Sequence, residues 1–195
     1  MDFCAGGGGK SLGLAVTMQN RGEIAALDVS SRLSQSAPRL KRAGTRIVKL
    51  HRLIPDDPWL KEHAGSADRV LLDSPCTRVG AWRRDPAGRF RLDQAELDRV
   101  TVLQRHILTD AAKLVKPGGR LIYATCSLLR EENEDQADWF ASRQPEFKAV
   151  PVADIWPQVL DGDCPAEGPY LLLTPKRNET DGFFIAIFEC VGVGQ

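Results

Sequence analysis

The chain has 195 residues, room for one domain and hardly for two. Hydrophobic residues make up 43% of it, which excludes a disordered chain and supports a packed core. Lys+Arg and Asp+Glu both number 26, a formal net charge of zero that argues against a purely electrostatic nucleic-acid binder while allowing a local basic stripe.

In chain order, Cys4 to Ser11 reads CAGGGGKS and runs into a helical pattern over Lys10–Asn20. Four successive glycines make a turn whose backbone can approach a ligand closely, and the helix presents its first amides there. Ile24–Asp28 (IAALD) is predicted as a strand ending in an acid, followed by a helix over Ser30–Ala43 and a strand over Arg46–Leu50. Arg69–Asp73 (RVLLD) is nearly all apolar, as a buried parallel strand is. From Asp93 to Val115, Leu97, Val100, Leu103, Leu108, Ala111 and Leu114 recur at roughly helical spacing. That helix stops at Lys116-Pro117-Gly118-Gly119, a strong breaker. Gly119–Thr125 (GRLIYAT) is the next strand. A helix over Glu131–Ala141 follows, with Glu131, Glu132 and Glu134 suited to the positive end of its dipole. Pro151 to Pro169, rich in Pro, Gly and Asp, reads as a surface loop, and strands are expected at Tyr170–Leu173 and Phe183–Glu189. Strands alternating with helices imply an α/β fold with a mainly parallel sheet.

The five cysteines are odd in number and have no CxxC spacing, as in a reduced cytoplasmic protein. Three histidines, none close to a cysteine pair, give no zinc site, and no apolar run is long enough to cross a bilayer. The glycine loop allows two readings. Gly9-Lys10-Ser11 matches the tail of a phosphate-binding P-loop, but that motif needs a glycine where Cys4 stands, so a nucleotide hydrolase is the weaker alternative. A Rossmann-type nucleoside-cofactor site instead needs an acid about 20 residues on, at the end of the next strand, and Asp28 is well placed to grip ribose hydroxyls.

Two cysteines follow predicted strands, Cys76 in DSPC and Cys126 in ATCS. Ligands of open α/β sheets bind beyond the carboxyl ends of the strands, so both line the expected cleft. One such cysteine is ordinarily packing; two beside a glycine loop suggest chemistry. Arg78, Arg83, Arg84, Arg89 and Arg91, interleaved with Trp82 and Phe90, form a basic segment able to hold phosphates and stack bases, or simply a solvated loop.

The pieces DFCAGGGGK, RVLLDSPC, WRRDP, LVKPGGRLIYATCSLLREENE and TDGFF cover nearly the whole chain. In order and spacing they resemble the Sun-type family of RNA (cytosine-5)-methyltransferases. The resemblance implies a Rossmann-like class I fold, mainly parallel with an antiparallel C-terminal strand. It implies S-adenosylmethionine as methyl donor, S-adenosylhomocysteine as product, and no metal. The implied substrate is single-stranded or looped RNA, ribosomal before transfer RNA. Cys126 would be the thiol that adds to carbon 6 of cytosine, and Cys76 the second cysteine that helps release the methylated product. Asp73 would lie between cofactor and base. The backbone of Cys4, Ala5, Gly6, Gly7, Gly8, Gly9 and Lys10 would cradle the cofactor, with Asp28 on its ribose. The attacking thiolate must be populated, so Cys126 is expected in an electropositive, partly exposed site, with Lys10 a candidate contributor.

Three departures from the family pattern stand out. The loop usually reads CAAPGGK, and Gly-Gly in place of Ala-Pro loosens it entropically. The acid expected after the third strand is missing from Leu50-His51-Arg52-Leu53, leaving Asp56 and Asp57 as weak substitutes. Only Met1 precedes Asp2, so the first strand is expected to be truncated and the family's N-terminal RNA-binding region absent, as in a fragment or shortened gene model. A non-catalytic RNA-binding remnant is therefore a further alternative.

Overall fold

The computed structural model describes residues 1–192. Five parallel strands, β1 (Asp2–Phe3), β2 (Ile24–Asp28), β3 (Val48–Arg52), β4 (Ala67–Asp73) and β5 (Val115–Thr125), lie in the order β3-β2-β1-β4-β5. The C-terminal part adds three antiparallel strands, one more than the two expected. These are β6 (Phe147–Val150), β7 (Leu171–Leu173) and β8 (Phe183–Cys190). β8 pairs with β5, and β6 and β7 both pair with β8. The fold is Rossmann-like, as expected. Leu27, Val70, Leu72, Leu121, Tyr123, Phe184 and Phe188 fill the core from the sheet, with Leu108 and Phe140 packed on it from helices.

The helices are α1 (Gly9–Thr17), α2 (Ala37–Arg42), α3 (Pro58–Glu62), α4 (Gln94–Ala112), α5 (Glu134–Arg143), α6 (Val152–Val159) and α7 (Pro175–Asn178). Several differ from the sequence expectation for identifiable reasons. The helix expected over Ser30–Ala43 splits into a 3-10 segment, Ser31–Ser36, and α2. Pro38 stands in the first turn of α2, where its missing N–H is harmless, but the same ring cannot sit inside a longer helix. The strand expected over Arg46–Leu50 starts two residues later, because the Arg46 amide donates to the Asn20 side chain and the β2 ladder opens at Ile24 opposite Val48. The supposed loop from Pro151 to Pro169 contains α6, whose Val152, Ile155 and Trp156 pack toward Leu171 and Ile187. On α4 the fully buried residues Val100, Gln104, Leu108 and Ala111 form one stripe, so a glutamine takes a core position.

β1 is two residues long in the middle of the sheet, and the Met1 ammonium donates to the Arg69 carbonyl at 2.6 Å. Below it, between β2 and β4, lies a cavity of about 730 Å³ lined by Met1, Leu14, Ile24, Leu71 and Ile122 among others.

Candidate active site

The candidate residues converge at the carboxyl ends of β1, β2, β4 and β5. After Phe3 the chain turns through Cys4, whose φ of 69° lies in the left-handed region that side chains rarely adopt. Gly6 and Gly8 follow, also left-handed, and Gly8 caps α1. A Cβ on Gly8 would sit 2.7 Å from that of Ser36, so a side chain there would be both strained and clashing. The Gly6 amide and the Ser30 amide each donate to one oxygen of Asp28, both at 2.7 Å. Asp28 thus ties the glycine loop to the end of β2, with α1's first amides alongside. Asp2 and Ser11, both buried, join β1 to α1 through a hydrogen bond of 2.5 Å, and burial holds the Asp2 carboxyl above the usual range.

Asp73 ends β4 opposite Ala124 and forms an ion pair with Lys10. Lys10 is therefore committed to Asp73. The basic group acting on Cys126 is Arg78, whose exposed side chain makes no ion pair among the described residues. Cys76 and Cys126 follow β4 and β5 with their sulfurs 3.4 Å apart. Both are partly exposed. The hydrogen bond shared with Cys76 pulls Cys126 below the ordinary thiol value against the opposing effects of burial and Asp73, and Arg78 assists. Cys76 is pushed up correspondingly, by that same hydrogen bond and by burial. Burial first, and then Asp28, Asp73 and Asp2, push Cys4 far up, so it stays a thiol. Cys126 is partly exposed as expected, but its surroundings are not electropositive: Asp73 acts on it more strongly than Arg78 does, and the lowering comes first from the second cysteine rather than from Lys10.

The basic segment carries internal pairs. Arg83 and Arg84 both engage Asp181, at 3.3 and 2.5 Å, and Arg91 engages Asp85 at 2.6 Å. Asp181 belongs to the TDGFF motif, and the next residue explains its glycine. The Gly182 amide donates to the Gly80 carbonyl at 2.9 Å, and the Gly80 amide donates to the Cys126 carbonyl at 3.0 Å. A Cβ on Gly80 would lie 2.6 Å from the Gly182 carbonyl oxygen. This backbone contact holds the segment after Cys76 against the residue bearing the other cysteine.

Of the weak substitutes for the missing third acid, Asp57 is already engaged. It bonds His51 Nε2 at 2.9 Å and accepts from the Ile54 and Trp59 amides, capping α3; His51 holds its carboxyl below the usual range. Sequence reasoning also missed Glu132. Assigned to a helix dipole, it instead lies fully buried at the end of the 3-10 segment Arg130–Glu132, two residues before α5 begins at Glu134. Gln104 donates to it at 3.1 Å; a polar residue on an otherwise apolar helical stripe was the available signal.

The family model described as 16S rRNA methyltransferase RsmB/F matches residues 1–189. The chain belongs to this family. Among curated RsmB/F relatives, the probable ribosomal RNA small subunit methyltransferase B of Synechocystis is 34% identical over 95% of the chain and 41% of its own length. The ribosomal RNA small subunit methyltransferase B of Thermus thermophilus is 32% identical over 95% of the chain and 43% of its own length. The crystal structure of NSun6 from Pyrococcus horikoshii with SFG, an S-adenosylmethionine analogue, is similar with a TM-score of 0.82 and 30% identity, covering 98% of this chain and 47% of that one. The chain thus spans less than half the length of these relatives. RsmB/F membership does not favour the nucleotide-hydrolase alternative. Among the described residues no group of three or more His, Cys, Asp or Glu is arranged to hold a metal ion, and no helix is long and apolar enough to cross a membrane.

Proposed function

We propose that residues 1–195 form one catalytic domain of an S-adenosylmethionine-dependent RNA (cytosine-5)-methyltransferase. In this reading it acts on ribosomal RNA in the cytoplasm and makes 5-methylcytosine through a covalent Cys126 adduct. The observation that carries it is the pair of thiols 3.4 Å apart just beyond the carboxyl ends of adjacent parallel strands, the same edge of the sheet at which the glycine loop follows β1. The names of the curated relatives support a ribosomal substrate.

The residues present fit the cofactor. The Cys4–Lys10 backbone and the amides opening α1 offer donors, and Asp28 offers a carboxylate for ribose hydroxyls by exchanging its present amide partners. When bound, S-adenosylmethionine supplies an electrophilic methyl group. The protein must supply the rest. Carbon 5 of cytosine is a poor nucleophile. Addition of the Cys126 thiolate to carbon 6 makes the ring an enamine and concentrates electron density on carbon 5. The Cys76 thiol, donating to Cys126 in the free protein, raises the thiolate fraction before the base arrives. After transfer a base takes the carbon 5 proton, the ring double bond re-forms, and the Cys126 thiolate leaves; Cys76 assists this release. Asp73, held by Lys10, is oriented to hydrogen-bond the polar edge of the cytosine. Arg78, Arg83 and Arg84 hold phosphates of an unstacked strand.

Calorimetric titration with S-adenosylmethionine and with ATP, followed by methylation assays on ribosomal RNA, tests the reading. Binding of the first ligand alone and label in 5-methylcytosine are expected, with Cys126→Ala inactive and Cys76→Ala accumulating protein–RNA adduct. RNA binding without methylation under any of these conditions would instead mark a non-catalytic remnant.

A further inference from the structure

The β4–β5 ladder ends at Asp73 opposite Ala124, and the Ser74 amide adds one last bond to the Ala124 carbonyl. Both cysteines lie beyond that point, on segments with few backbone links. Glu132 spans the gap. Its Oε1 accepts from the Thr77 amide at 2.8 Å and from Gln104 Nε2 at 3.1 Å. Its Oε2 accepts from the Thr77 hydroxyl and the Ser127 hydroxyl, both at 2.5 Å. Thr77 directly follows Cys76, and Ser127 directly follows Cys126. Gln104 also donates to the carbonyl of Pro75, just before Cys76, at 3.0 Å. One carboxylate therefore grips both cysteine-bearing segments.

Packing alone does not account for this residue. Glu132 is fully buried and forms no ion pair among the described residues. A buried carboxylate without a cation is costlier than an apolar side chain of its size unless hydrogen bonds satisfy it. Four donors do so here, and three of them come from the two residues adjoining the cysteines. Its own backbone is held in turn: Tyr123 donates to the Glu132 carbonyl at 2.6 Å, and neighbouring Asn133 bonds Thr125 and the Ser127 carbonyl.

We propose that Glu132 is a positioning residue whose carboxylate sets the separation of the Cys76 and Cys126 thiols. Its consequence for catalysis rests on the methyltransferase reading above; its consequence for the thiol pair does not. The pair's thiol–disulfide equilibrium with glutathione, mapped by peptide mass spectrometry, reports their effective concentration independently of any RNA. Glu132→Met removes every hydrogen bond of the carboxylate at similar volume and is expected to lower that effective concentration by about tenfold or more. Glu132→Gln should rescue it to within about threefold, because its amide can donate to the Thr77 and Ser127 hydroxyls once these turn to accept. Methyl transfer in a single turnover should follow the same order, with donor affinity unchanged. Should Glu132→Met fail to fold, Thr77→Val removes one donor at constant volume and should lower the effective concentration by about threefold. An equilibrium that is the same in wild type and in whichever of these variants folds overturns the proposal, even if the wild type methylates RNA. A wild type that never methylates, alongside a shifted equilibrium, overturns the methyltransferase reading and leaves the positioning role standing.

Discussion

The two halves of the candidate site are built in different ways. The glycine-loop half, at the ends of β1 and β2, is backbone held by one carboxylate: left-handed turns at Cys4, Gly6 and Gly8, and Asp28 accepting two amides. The cysteine half, at the ends of β4 and β5, is held by buried side chains, with Thr77, Gln104, Ser127 and Glu132 in one network. The first half can exchange its internal hydrogen bonds for those of a ligand at small cost, because backbone amides meet a new acceptor without repacking. The second cannot rearrange without stranding buried polar groups. Such a division suits a site that must admit and release a cofactor on one side and keep two sulfurs in register on the other.

The contrast is sharpest where variants separate binding from chemistry. Cys126→Ala should drop methyl transfer to the uncatalysed background while leaving donor affinity within about threefold of wild type. A large loss of donor binding in that variant would erase the distinction between the halves. Asp28→Asn should do the opposite. Hydrogen bonds to a charged group contribute about 1.5–3 kcal/mol, so donor Kd should rise by about tenfold to a hundredfold with single-turnover transfer at saturating donor nearly unchanged. Gly80→Ala probes the rigid half alone. Its Cβ would meet the Gly182 backbone rather than a flexible side chain, so a loss of about 1–3 kcal/mol is expected in urea denaturation. Gly7→Ala, where a Cβ meets nothing within 4 Å, should cost much less. The smallest effect is on titration. Because the Cys76 thiol stabilises the Cys126 thiolate, Cys76→Ala should raise the Cys126 pKa. Iodoacetamide alkylation of Cys126 would then need higher pH in the variant than in wild type, with the difference largest near neutrality and gone well above the ordinary thiol value.

The same contrast governs what could be read from the sequence. The glycine loop was legible because its residues are contiguous and their conformational demands are local. Asp28 was legible because it stands at a strand end a fixed distance on. The cysteines were legible as strand-end residues, and the family resemblance assigned their expected roles. Glu132 was not, because its partners Thr77 and Gln104 lie 55 and 28 residues away and its own neighbourhood reads as an ordinary acidic helix start. Asp181 was missed likewise; its link to Arg83 and Arg84 exists only after β8 returns beside β5. In the fold, short apolar runs located β2, β4 and β8, whereas α6 was hidden by Pro and Asp in a segment whose few apolar residues bury only against β7 and β8.

The central claim is a bond between one sulfur and one pyrimidine carbon. RNA carrying 5-fluorocytosine at the target position blocks the final proton removal, so a productive enzyme stays attached. Incubation with S-adenosylmethionine, digestion and mass spectrometry should find the nucleotide, with its added methyl group, on the peptide containing Cys126. Recovery of unmodified Cys126 from the 5-fluorocytosine reaction, under conditions in which ordinary RNA is methylated, or attachment to Cys76 instead, would contradict the account.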